Sequence, residues 1–76
     1  MNKARRKQLS EIAELLQELN ERVELLRDEE QDAFDSLPES LQQGERGQGM
    51  ELAVEKMDAA IESIGESITA LEEAQV

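Results

Sequence analysis

Apolar residues in the first half of the chain recur at Leu9, Ile12, Leu16, Leu19, Val23 and Leu26, skip one step at Glu30, and resume at Ala33 and Leu37. The intervals alternate three and four residues, the heptad pattern of a helix that packs one stripe along another helix. With Leu9 at heptad position a, Leu16, Val23, Glu30 and Leu37 also fall at a, while Ile12, Leu19, Leu26 and Ala33 fall at d. The second half repeats the alternation, with Val54, Ile61 and Ile68 at a and Met50, Met57, Ile64 and Leu71 at d. Beside that second seam runs a row of small side chains at g, Ala53, Ala60, Ser67 and Ala74, so one flank of the second helix can be approached closely. The acids Glu11, Glu14, Glu18, Glu21, Asp28, Asp32 and Asp35 occupy c and f positions of the first helix and read as its solvated face.

Residues 36–49 separate the two seams and contain the only Pro and three of the four Gly. The pattern predicts a helix over about residues 3–35 and a turn over about 36–46 that contains a short helical segment. A second helix follows over about 47–75, its start lying between Glu45 and Met50. Asn2 is a candidate N-cap, and Ser36-Leu37-Pro38-Glu39 has the form of a capping box with Pro in the first turn. The expected fold is all-α: a single-domain, antiparallel, coiled-coil-like two-helix hairpin spanning 1–76. Lys3, Arg5, Arg6 and Lys7 would then meet Glu72, Glu73 and the C-terminal carboxylate at the open end. Such surface pairs contribute about 0–1 kcal/mol each. Each helix can hide only one stripe against its neighbour, and Leu15, Leu25 and Phe34 widen the apolar surface of the first. A four-helix bundle or larger homo-oligomer is therefore expected.

Composition narrows the chemistry. The chain carries 8 Lys+Arg against 19 Asp+Glu, a formal charge of −11, and has neither Cys nor His. Disulfides, thiol nucleophiles, the usual zinc ligands and an imidazole base are thereby excluded. One Phe, with no Tyr or Trp, leaves little for nucleobases to stack on, and the acidity opposes a phosphate backbone. No apolar run is long enough to span a membrane or to form a signal-peptide core. A non-catalytic, soluble intracellular protein is expected, without cofactor or metal, that binds neither nucleic acid directly nor membrane.

Four features carry candidate chemistry. Asp28, Asp32 and Asp35 share one helix face and either hold a divalent cation loosely or are simply solvated; they lack the spacing and turn glycine of a calcium loop. Glu30, at an a position, either reaches water where the seam opens toward the turn or meets a cation, Arg46 being the nearest candidate. Glu11–Glu14 and Glu55–Asp58 have the ExxE and ExxD shapes by which all-helical nucleotide pyrophosphohydrolases hold Mg²⁺, but Glu-rich helices generate such pairs by chance. Arg5, Arg6 and Lys7 are the candidate anion-binding residues, set against pairing with the acidic C-terminus.

Residues 28–50, DEEQDAFDSLPESLQQGERGQGM, followed by the Ala/Ile pattern of 53–74, resemble small helical-hairpin proteins encoded by bacteriophages and prophages. The similarity lies in the basic start at Asn2–Lys7, the Asp28-Glu29-Glu30 run, Leu37–Gln42 and Glu45–Gly47. Gln43-Gly44 departs from that pattern, which has a Ser-type cap before Glu-Arg-Gly. The resemblance implies a phage accessory protein in the cytoplasm of a bacterial host and supplies no catalytic residues. Three readings follow. The chain is a protein-interaction or inhibitor module that presents Phe34, Leu37, Pro38, Leu41 and Arg46 at the turn, or a helix face, to a host protein. Alternatively its carboxylates mimic DNA phosphates toward a host enzyme, or an oligomer sequesters an anionic nucleotide at converged Arg5, Arg6, Lys7 or Arg46. The same turn residues are also suited to a satellite core that only closes the hairpin.

Overall fold

The computed structural model describes all residues 1–76. Helix α1 spans Lys3–Asp35, a single turn α2 spans Glu39–Gln42, and α3 spans Glu45–Glu73. α1 and α3 lie antiparallel along their length, and the Met1 amine donates to the carbonyl oxygen of Val76, closing the open end. The Cα trace is a rod of 58 × 14 × 11 Å. No helix is long and apolar enough to cross a membrane.

The element ends follow from local hydrogen bonding. Asn2 is extended and its side chain accepts from the Arg5 N–H at 2.8 Å, satisfying one donor that the first turn of α1 leaves open. At the other end the expected capping box does not form. Ser36 closes α1 instead: its N–H and its hydroxyl both donate to the Asp32 carbonyl, at 3.0 and 2.8 Å. A serine that has turned back onto the preceding helix cannot cap the following one, so Pro38 precedes α2 without a side-chain cap. Gly44, extended, precedes α3.

The seam of α3 is the expected one: Val54 and Ile68 are buried, and Met50, Met57, Ile61, Ile64 and Leu71 are half-buried. α1 differs. Its a row, Leu9, Leu16, Val23 and Glu30, is half-buried, but the second row facing α3 is not d. That row is Ala13, Asn20, Arg27 and Phe34, at e; Ala13 and Asn20 are buried, Arg27 and Phe34 half-buried. The helix is thus rotated about its axis, and Ile12, Leu19, Leu26 and Ala33 turn outward. Phe34 belongs to the seam and Leu25 faces away from it, so neither widens the outer stripe as expected; Leu15 does.

Only Ala13, Asn20, Gly47, Val54 and Ile68 are buried, and no side chain is sealed completely from solvent. Two helices alone enclose little, as the small-core argument requires.

Candidate functional site

Three surfaces could carry function: the tip, the outer stripe of α1, and the open end. The tip is held by backbone contacts. Gln42 Nε2 donates to the carbonyls of Phe34 and Leu37, each at 3.2 Å, tying the end of α1 to the turn. Leu41 N–H and Gln42 N–H both donate to the Pro38 carbonyl, at 2.8 and 3.1 Å, and Gly44 N–H donates to Leu41 at 3.1 Å. Gly47 is buried against this turn, with no room for a side chain: a β-carbon there would lie 2.1 Å from the Gln42 carbonyl oxygen. Of the five tip residues expected to bind a partner, Phe34 and Leu37 are half-buried and brought together by Gln42. Pro38, Leu41 and Arg46 are exposed, Leu41 by 50%. The tip therefore combines a small closure beneath with an apolar and cationic surface above.

The outer stripe of α1 comprises Ile12, Leu15, Leu19 and Leu26, each 45–58% exposed. It lies roughly a quarter turn around the helix from the seam, given about 100° per residue. A shallow groove lined by Leu26, Glu29, Glu30 and Met57 joins it to α3. On the opposite flank Arg27 Nε donates to Asp58 at 2.8 Å and Arg27 Nη1 reaches Asp28 at 3.4 Å. The Asp58 hydrogen bond, with the nearby carboxylate charges, raises the Arg27 pKa above its ordinary value. Asp58, the second member of the ExxD pair, is thus occupied by a guanidinium.

At the open end the termini meet, but the expected ion pairs do not form. Arg6 donates to the Met1 carbonyl at 2.6 Å, and Lys3, Arg5, Arg6 and Lys7 have no carboxylate within ion-pair distance. Glu72 lies in the groove between the helices, where its α1 neighbours are Ser10, Ala13, Glu14 and Gln17 and none of the four cations. No Arg or Lys lines any of the molecule's grooves; the one nearest this end is lined by Ser10, Ala13, Glu14, Gln17, Ile68, Glu72 and Gln75. Glu30 makes no ion pair with Arg46 and lies half-buried at the groove beside Leu26. Asp28, Asp32 and Asp35 do not converge with one another as metal ligands.

Sequence reasoning missed Asn20, Arg27, Gln42 and Gly47. Ala13, Asn20, Arg27 and Phe34 are spaced seven apart, a signal present in the chain but masked because two members are polar. No periodicity marks Gln42, whose role is side chain to backbone. No family model matches this chain, and neither a curated protein nor a solved structure does.

Proposed function

We propose that this chain is a phage-type accessory protein that acts in a bacterial cytoplasm by binding a host protein at the hairpin tip, without catalysing a reaction. The observation that carries this reading is the construction of the tip. Gln42 and the tight approach of Gly47 hold the turn in one shape, with Leu41, Pro38 and Arg46 on its outside. A fixed turn binds without paying the ordering cost of a flexible loop. Arg46 offers donors to a partner carboxylate or carbonyl, and Leu41 offers apolar area beside a rigid proline.

The test is the double variant Leu41→Ala with Arg46→Ala, at positions whose side chains make no hydrogen bond within the chain. Melting and molar mass are expected to match the parent, while retention of a bacterial protein on the immobilised chain is lost. Equal retention by parent and variant would remove the tip from the account. A second reading, charge mimicry of DNA, draws on one observation: of the acids, only Asp28 and Asp58 are in ion pairs. Its complex would weaken steeply with salt and survive the tip substitutions.

A further inference from the structure

The outer stripe of α1 is a different surface from the tip, and its surroundings indicate what covers it. We propose that a second copy of this chain packs on Ile12, Leu15, Leu19 and Leu26, head-to-tail, with the two-fold axis passing beside Leu19. The result is an antiparallel four-helix bundle in which α1 lies on α1 and α3 on α3.

The first argument is the distribution of charge around the stripe. Of the nineteen acids in the chain, Glu29 alone occupies a d or g position of either long helix. In a molecule of charge −11, one face of the hairpin therefore holds carboxylates only at its tip end, where Glu29 and Glu30 line the groove beside Leu26. It is the face that carries Ile12, Leu15, Leu19 and Leu26; of the other exposed Leu side chains of the long helices, Leu25 and Leu52 stand singly elsewhere. A solvated face has no need of that exclusion.

The second argument is symmetry. On α1 the row Ile12, Leu19, Leu26 is centred on Leu19. On α3 the row of small residues Ala53, Ala60, Ser67 and Ala74 lies on the same flank, since Met57 lines the groove with Leu26 while Asp58 meets Arg27 on the other side. Ala60 and Ser67 are exposed, and the Ser67 hydroxyl donates back to Ser63 at 3.0 Å, leaving no donor to desolvate. The hairpin register sets Ala13 beside Ile68, Asn20 beside Ile61 and Leu26 beside Met57, so Leu19 stands level with the middle of that small row. One axis therefore relates Ile12 to Leu26, Ala60 to Ser67 and Ala53 to Ala74. Self-complementarity about a single axis is what a closed dimer of identical chains requires.

The third argument selects the direction. Lys3, Arg5, Arg6 and Lys7 lack carboxylate partners within the chain, and so do Glu29, Glu30 and Asp32 lack cations. Head-to-tail packing sets the basic end of each copy over the acidic segment before the tip of the other. Packing with both tips at one end would superimpose two acidic segments instead.

Because the chain has no Cys, single cysteines can map the contact. Leu19→Cys, Ile12→Cys and Leu26→Cys each place one thiol at an exposed position, and melting followed by circular dichroism checks that each variant folds. Under mild oxidation Leu19→Cys is expected to form a disulfide dimer in most of the protein, since it faces itself across the axis at bridging distance. Ile12→Cys and Leu26→Cys are expected to remain unlinked when oxidised separately and to link when mixed. Linking of Ile12→Cys with itself would put the tips at one end and overturn the arrangement. Failure of Leu19→Cys to link, with the parent chain monomeric, would overturn the dimer altogether.

Discussion

Gly47 and Asn20 show how much single residues decide in a molecule with so small an interior. A β-carbon at Gly47 would collide with the Gln42 backbone, whereas Gly49 has open space around it. Gly47→Ala is expected to destabilise the hairpin by about 1–3 kcal/mol through overpacking against an element that cannot yield. Gly49→Ala, in an exposed helical position, is expected to stabilise by about 0.5–1 kcal/mol through lower unfolded-chain entropy. Urea denaturation of the two variants checks the contrast in sign. Asn20 is 6% exposed; its Nδ2 donates to the Ile61 carbonyl at 3.3 Å, but its Oδ1 has no partner. An orphaned buried acceptor costs about 1–3 kcal/mol. Asn20→Leu is therefore expected to add about 1 kcal/mol of stability, read as a higher urea midpoint. A lower midpoint would show that the Ile61 bond outweighs the orphaned oxygen.

Among the elements, the seam of α3 was legible in the sequence because one row pair, a and d, is apolar throughout and its g row is small. Its start was not, since α3 begins at Glu45 with Gly47 packed on the turn, where the pattern placed the helix from about 47. α1 was legible as a helix with its N-cap, but not in its rotation. It carries two candidate second rows: d, formed by Ile12, Leu19 and Leu26, and e, formed by Ala13, Asn20, Arg27 and Phe34. Apolarity favours d, yet Phe34 beneath the tip and Arg27 on Asp58 anchor e, and small Ala13 and compact Asn20 let the helices approach. The tip was only partly legible: Pro38 and the glycines marked a turn, but Ser36 bonding backward and Gln42 bracketing the chain depend on geometry with no periodic trace. The two faces of α1 predict distinct behaviour. Leu16→Ala, on the seam, is expected to cost about 1–2 kcal/mol at every protein concentration, in line with losing half-buried apolar area. Leu19→Asp, which puts a charge on the outer stripe, is expected to abolish the concentration dependence of the melting temperature that a dimer confers. A seam variant with the same loss of concentration dependence would contradict the division of α1 into an inner and an outer face.

The whole molecule is an acidic rod whose charge is uneven along its length, and that unevenness ties the assembly to the proposed activity. The proposed head-to-tail pairing would leave a rigid tip at each end of a symmetric particle, so two copies of Leu41, Pro38 and Arg46 would become available at once. Two linked sites raise apparent affinity for a partner that is itself repeated or dimeric. In the proposed dimer the apolar stripe would supply most of the association and the end-to-tip charges would choose its direction, so salt is expected to leave it intact. Molar mass by light scattering, at about 0.1 M and about 1 M salt, where screening lengths differ by about threefold, tests this most directly. The account predicts twice the 8.6 kDa of one chain at both salt concentrations. A mass of one chain throughout would contradict it and leave Ile12, Leu15, Leu19 and Leu26 as a surface for a different protein.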